Sequence, residues 1–294
     1  MKVLFIINPA AGGSNRSEEV TGAVRKVLGS EGGVFEIKAT KEKGHAGALA
    51  QEAVAKGFDV VFACGGDGTV NEVGSSLVRT RAVLGIVPVG SGNALARALR
   101  VPVDPEGALV LLKKKKVVEI DAGVLCGRHF FSTAGLGFDA CLSKRYNESF
   151  LAKRVRGVAP YVALALLEYL KFTPSSFHIK TGGNIRRVDP FLLTAANTER
   201  WGGPAVIAPG ANPSDGKLDI CIVTGVGPMS LPVLVYKFLR GRIDTFKGYR
   251  RILTDSMDVM GRPGTVVHVD GEPFECTGDI SIRVVPRGLR VLSG

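Results

Sequence analysis

Along the first 123 residues, short apolar runs alternate with stretches of helical period. Val3–Ile7, Val34–Ala39, Asp59–Ala63, Val83–Val87 and Val117–Val124 read as buried strands. Between them, Glu18–Leu28 places Val20, Val24, Val27 and Leu28 on one helical face. Ala46–Lys56 reads as a helix closed by Gly57, and Val70–Val78, Asn93–Leu99 and Pro105–Lys113 read as further helices. This order predicts an α/β domain over residues 1–123, an open and mostly parallel sheet flanked by helices. After residue 123 the pattern changes to hairpins. Gly123–Leu125 faces His129–Thr133 across Cys126-Gly127, and Phe177–Lys180 faces Phe191–Ala195 across Gly182-Gly183-Asn184. Leu218–Val223, Thr265–Val269, Ile280–Val285 and Leu289–Leu292 are further strands, with helices near Val158–Lys171 and Ser230–Leu239. Residues 124–294 are therefore expected to form a mostly antiparallel β-sandwich, its last residues free to return to the first domain. The ligand cleft is expected between the two domains.

The apolar runs of the first half exit into small and polar residues. Those exits carry Asn8-Pro9 with Gly12-Gly13, then Thr40, then Gly65-Gly66-Asp67-Gly68-Thr69, then Gly90-Ser91-Gly92-Asn93. In open α/β sheets ligands gather at the carboxyl ends of strands. A glycine turn leading into a helix removes side chains and offers N–H groups and a positive dipole end to phosphate. Asp67 would repel phosphate unless a divalent cation lay between them. No Walker A sequence occurs, and no G-x-G-x-x-G follows the first strand, so neither a P-loop nor a plain dinucleotide fingerprint applies.

Composition narrows the partners. Thirty-eight Lys and Arg against 27 Asp and Glu give a net charge of +11, which favours nucleotides or acidic lipid surfaces. Aromatic content is only 7% and no recognition helix, zinc finger or RNA-binding motif is present, so nucleic acid is not expected. Five cysteines with no C-x-x-C pair argue against a disulfide framework or zinc site and for a reducing cytosol. The apolar start breaks at Asn8-Pro9, too early for a secretory h-region, and Val158–Leu170, interrupted by Pro160 and Glu168, is too short to span a bilayer.

A second informative stretch is Val266-Val267-His268-Val269-Asp270-Gly271-Glu272-Pro273. Read as one strand, it turns Val267 and Val269 to a core and sets His268, Asp270 and Glu272 on the other face. Two adjacent carboxylates could then supply a general base. Read instead around Asp-Gly, it is a hairpin turn. Asp215 in Ser214-Asp215-Gly216-Lys217 could meet a cation or form an Asx-turn. Asp121 ends a strand, His45 would shape a loop, and Asp139 is either a cap or a cleft contact. His129, His178 and His268 have no metal-ligand spacing, and no Ser-His-Asp arrangement is evident.

Taken in order, Asn8-Pro9 with Gly12-Gly13, Gly65 to Thr69 with Asn71-Glu72, Gly90 to Asn93, Asp121, Asp215-Gly216-Lys217 and Asp270-Gly271-Glu272 resemble the soluble diacylglycerol kinase and sphingosine kinase family over nearly the whole chain. The resemblance implies an ATP-dependent lipid kinase, a phosphotransferase with an alcohol acceptor of diacylglycerol or sphingoid-base type, using Mg²⁺. It implies ATP contacts from Asn8, Thr40, Gly66 to Glu72 and Ser91. It gives Asp270 the role of base and Glu272 that of its support. By the same resemblance Asp67 places the catalytic Mg²⁺ through water, while Asn212, Asp215 and Lys217 hold a second Mg²⁺ near Asp121. Ala94 stands where bacterial diacylglycerol kinases of this type usually carry Asp, closer to the sphingosine kinase version. The implied setting is cytoplasmic, peripheral on an anionic membrane surface, with a homodimer left open. The alternatives are a kinase for a soluble substrate such as NAD and a non-catalytic nucleotide- or lipid-binding protein.

Overall fold

The structure is a computed structural model that describes residues 1–12, 15–29, 34–149, 159–202 and 204–294. It comprises two compact units, Met1–Ala122 with Arg287–Gly294, and Gly123–Pro286.

The first unit runs β1 (Lys2–Ile7), α1 (Arg16–Leu28), β2 (Val34–Ala39), α2 (His45–Ala55), β3 (Val60–Gly65), α3 (Asp67–Leu77), β4 (Val83–Pro88), α4 (Ala94–Ala98) and α5 (Pro105–Lys114), then enters β5 (Val117–Leu125). Its central strands β1, β3 and β4 are apolar on both faces because helices cover both, whereas the edge strand β2 carries Glu36 and Lys38. β3 and β4 are buried at every position, and Phe5 stacks on Phe62 with ring centroids 4.8 Å apart. β1 pairs in parallel with β2 on one side and β3 on the other, and β3 pairs in parallel with β4. The chain thus reverses direction across the sheet at β1 and β3, whose carboxyl ends lie side by side in the register Ile7↔Cys64. Residues 287–294 complete this unit, with Val291 pairing in parallel beside Leu84.

The second unit contains β6 (Arg128–Phe130), β7 (Thr133–Gly137), α6 (Phe138–Glu148), α7 (Ala159–Tyr169), β8 (Phe177–Thr181), β9 (Asn184–Val188), β10 (Leu192–Ala196), β11 (Arg200–Gly202), β12 (Ala205–Val206), β13 (Leu218–Val223), α8 (Leu231–Leu239), β14 (Tyr249–Thr254), β15 (Ser256–Met260), β16 (Thr265–Val269), β17 (Glu272–Cys276) and the first part of β18 (Ile280–Leu292). A six-stranded antiparallel sheet has the order β14-β13-β10-β7-β16-β17. β9, β8, β15 and β18 form a second layer. Alternation along the strands fills the space between with Leu136, Leu193, Ile220, Val267, Ile179, Met257 and Ile282. The outer face of the six-stranded sheet is covered by α6 and α8 through Phe138, Leu142 and Leu234.

Several readings of the second half are corrected. Phe177–Lys180 does not pair with Phe191–Ala195; its partner is β9, and β10 lies in the other sheet between β13 and β7. The turn at Gly182-Gly183 is so tight that the nearest residues after it form the return strand. The run His129–Thr133 is divided into β6 and β7, while Ile280–Val285 and Leu289–Leu292 join in one strand. Cys126 and Cys276 are disulfide-bonded, against the expectation drawn from cysteine spacing. They lie 150 residues apart in sequence, and only the sheet brings them together. The Val158–Lys171 helix is described from Ala159, Val158 lying outside the described residues.

Candidate active site

At the carboxyl ends of β1, β3 and β4 the structure draws the two glycine turns together. Thr69 turns back under the first of them, close to Gly65, and receives a hydrogen bond from Asn8 Nδ2 at 3.0 Å. Asn8 is held in turn: its N–H donates to the Cys64 carbonyl, and its Oδ1 accepts the Ala10 N–H at 3.0 Å. The Thr40 N–H donates to the Ile7 carbonyl beside it. A Cβ on Gly90 would stand 2.7 Å from the Gly66 Cα, and one on Gly92 would stand 2.5 Å from Asp67 Oδ2. Glycine at both places lets the turns touch backbone to backbone.

Asp67, at the start of α3, ties the turns. Its Oδ2 accepts the Asn93 N–H at 2.8 Å and its Oδ1 accepts the Ala94 N–H at 2.7 Å. A carboxylate at this glycine turn thus has a structural reason of its own: it satisfies the first N–H groups of α4. Asn93 itself adopts a left-handed backbone and donates from Nδ2 to the Gly90 carbonyl at 2.7 Å. Glu72 points elsewhere. Its two oxygens accept N–H groups of Gly44, at 2.8 Å, and Ala46, at 3.2 Å, and so cap α2. Asn71 lies next to Ser75 on α3, Ser91 and Pro9 are exposed, and Gly12 has a left-handed backbone packed near Arg16. Gly13 lies outside the described residues. His45 Nδ1 accepts the Lys41 N–H, a loop-shaping contact.

In the second unit, Asp270-Gly271 is a two-residue turn between β16 and β17, with Val269 opposite Glu272. Asp270 has φ 46° and Gly271 φ 85°, the backbone of a hairpin turn that follows the strand twist. Of the two alternatives, the hairpin is therefore correct: Asp270 and Glu272 are not neighbours on one strand face but flank Gly271 at a tip. The Asp270 carboxylate accepts three backbone N–H groups. They come from Phe131 at 3.0 Å, Ser132 at 2.8 Å and Thr133 at 3.1 Å. Its own N–H donates to the Thr133 carbonyl at 2.7 Å. Asn197 backs the same segment, donating from Nδ2 to the Phe131 carbonyl at 3.0 Å. The supporting residues 131–133 and Asn197 carry no motif, because they act through backbone groups and through a strand distant in sequence.

The remaining acidic residues behave as turn and core groups. Asp215 Oδ1 accepts the Lys217 N–H at 2.9 Å, Asn212 Oδ1 accepts the Ser214 N–H at 3.1 Å, and Lys217 Nζ meets Asp255 at 3.2 Å. Both are Asx-turns. Asp121 is fully buried and accepts the Arg287 N–H at 2.7 Å. Among the described residues, no three His, Cys, Asp or Glu side chains assemble into a metal-binding group.

The class is an α/β fold: a parallel sheet with glycine turns at its strand ends, in one chain with an antiparallel sandwich. Residues 2–125 match the family described as "Diacylglycerol kinase catalytic domain", and residues 132–293 match the "YegS C-terminal NAD kinase beta sandwich-like domain". The chain belongs to this YegS-like and diacylglycerol kinase family of lipid kinases. It is 31% identical to a "Probable lipid kinase YegS-like" of Pseudomonas aeruginosa, covering 99% of this chain and 93% of that protein. It is 30% identical to a "Diacylglycerol kinase" of Mycobacterium tuberculosis, covering 99% and 94%. The fold is also that of a crystal structure of a diacylglycerol kinase from Bacillus anthracis, with TM-score 0.72 and 22% identity over 100% of this chain and 97% of that one.

Proposed function

We propose that this kinase transfers the γ-phosphate of ATP to the hydroxyl of a lipid of diacylglycerol or sphingoid-base type. The observation that carries the reading is Asp270, a carboxylate held at a hairpin tip by three N–H donors. In that role it takes the proton of the attacking hydroxyl, a contribution of ~10²–10⁴ in rate. The first turn of α3, Gly66 to Thr69, and the Gly90–Asn93 turn hold the triphosphate with backbone N–H groups and the helix dipole. Phosphoryl transfer asks chiefly for positioning and charge neutralisation, which fits so backbone-rich a site.

Mg²⁺ supplies that neutralisation when bound. Asp67, in the first turn of α3 beside the glycine turns, brings carboxylate oxygens of the kind a hydrated hard cation accepts. Asp215 with the backbone oxygens of Asn212 and Lys217 is an all-oxygen set of the kind a second hard cation accepts.

The acceptor's membrane is the natural setting. Met229 and, on α8, Val233, Val235, Tyr236 and Leu239 are exposed, with Lys237, Arg240 and Arg242 beside them. Arg240 lies 5.8 Å from the Tyr236 ring centroid. An apolar face rimmed by cations suits an anionic bilayer, each well-placed Lys or Arg adding ~1 kcal/mol. No described helix is long and apolar enough to cross a membrane, which fits a peripheral protein at the cytoplasmic face.

Labelled ATP offered with diacylglycerol, monoacylglycerol, sphingoid bases, phosphatidylglycerol and undecaprenol tests the reading. Wild type is expected to label one lipid class, and Asp270→Asn to lose at least ~100-fold in kcat while binding ATP. Equal transfer by the two proteins would remove Asp270 from the chemistry. A soluble labelled product, formed equally without vesicles, would point to a soluble acceptor instead. Val233→Ser with Tyr236→Ser should reduce sedimentation with phosphatidylglycerol vesicles; unchanged sedimentation would exclude α8 from docking.

A further inference from the structure

Behind the Asp270-Gly271 turn lies a buried polar cluster that the mechanism above leaves unused. Thr194 on β10, Gly135 on β7 and His268 on β16 stand directly opposite one another across three neighbouring strands. All three point to the outer, helix-covered face, opposite to Leu193, Leu136 and Val267. Gly135 leaves a notch in that row. The Asp139 carboxylate, from the first turn of α6, occupies it; a Cβ on Gly135 would collide with Asp139 Oδ2 and stand 2.7 Å from the Leu193 carbonyl oxygen.

Asp139 and His268 are 0% and 1% exposed. Asp139 Oδ2 accepts from Thr194 Oγ1 at 2.7 Å and meets His268 Nε2 at 3.2 Å, while Oδ1 accepts the Ala140 N–H at 2.9 Å. The other ring nitrogen, Nδ1, faces the Gly271 N–H at 3.4 Å. A backbone N–H can only donate, so Nδ1 is the acceptor and Nε2 carries the hydrogen toward Asp139. The ring is thereby fixed in one tautomer and one orientation, with one edge on a buried carboxylate and the other on the turn.

Burying such a pair costs solvation that apolar side chains of the same volume would not. Its placement gives it a use. Residues 131–133 grip Asp270 from one side, and His268, three residues before Gly271, holds the turn from the other. We infer that Asp139 and His268 are positioning residues that set the Asp270-Gly271 turn for phosphoryl transfer. The inference rests on the reading of Asp270 as the base.

The test uses the full-length protein and its variants Asp139→Asn, His268→Ala, His268→Gln, His268→Asn and the milder Thr194→Val, each checked by thermal unfolding. Asn places an amide oxygen where Nδ1 sits, whereas Gln places its amide where Nε2 sits. A misplaced general base lowers kcat without altering nucleotide binding. Folded Asp139→Asn, His268→Ala and His268→Gln are therefore expected to lose about 10- to 100-fold in kcat at unchanged KM for ATP. His268→Asn should recover part of the loss. The Gly271 amide, followed by NMR hydrogen exchange, should lose protection in His268→Ala and His268→Gln and keep it in His268→Asn. Folded His268→Ala with wild-type kcat and wild-type Gly271 protection would overturn the inference, as would equal losses in all three His268 variants. If wild type phosphorylates no lipid, the kinase reading fails by itself. The Gly271 amide then still decides whether the cluster holds the turn.

Discussion

Gly92 is a position where one methyl group has a defined consequence. Its Cβ would stand 2.5 Å from the Asp67 oxygen that caps Asn93. Gly92→Ala must therefore push the two turns apart, a strain of ~1–3 kcal/mol. ATP affinity by calorimetry should fall by at least ~10-fold, since that strain is felt where phosphate would rest. Wild-type affinity would place the nucleotide elsewhere. The free cysteines give a second residue-scale prediction. Burial pushes the Cys221 thiol up to about 12 and raises Cys64 and Cys141 as well, but Cys141 alone of the three is only partly buried and open to reagent. A raised thiol stays protonated at mild alkaline pH, and the thiolate is the reactive form. Iodoacetamide at pH 8 should thus label Cys141 before Cys64 or Cys221, read by peptide mass spectrometry. Rapid labelling of Cys221 in folded protein would contradict its burial.

Among the elements, the helices show how local signals and distant ones share the work. α5 begins at a complete local start: Asp104 accepts the Gly107 N–H at 2.6 Å and Pro105 occupies the first helical position. Asp104→Ala should cost ~1 kcal/mol, measured as a lower urea midpoint with unchanged slope. α2 has no such residue. Its N-cap is Gly44, and the capping carboxylate arrives from Glu72, 28 residues on. Glu72→Ala should therefore destabilise α2 by about the same amount as a lost local cap. Hydrogen exchange confined to faster opening of residues 44–48 would confirm the assignment, and exchange unchanged there would refute it.

At the scale of the molecule, the first unit is incomplete without the end of the chain. Leu289, Val291 and Leu292 are buried there, the Arg79 N–H donates to the Gly288 carbonyl, and the Gly294 N–H donates to the Leu99 carbonyl. Three buried apolar side chains are worth on the order of 5 kcal/mol, comparable with the whole stability of a domain. A chain ending at Pro286 should lose or sharply lower the first unit's calorimetric transition. An unchanged transition would mean that residues 287–294 contribute no stability. The parallel neighbour that they give β4 could not be inferred locally, because parallel pairing joins segments far apart in sequence.

The α/β half was legible almost residue by residue, since apolar runs, helical spacing and glycine exits are local signals that burial on both sheet faces makes strong. Val34–Ala39 has the predicted bounds, and most other elements there differ by one to three residues at an end. The glycine turns were legible as strand-to-helix exits for the same reason. The hairpin half was less so: strand partners such as β8 with β9, and the meeting of Cys126 with Cys276, depend on which sheet each strand joins. Sequence spacing likewise put Asp270 and Glu272 in one stretch but left strand and turn equally open. The choice came from contacts with residues 131–133, more than 130 positions away. Asp139, His268 and Thr194 carry no readable spacing, because a buried polar cluster assembled across three strands has its logic in register and depth. Local periodicity specified the elements; long-range pairing selected which carboxylates became caps, turns or buried core groups.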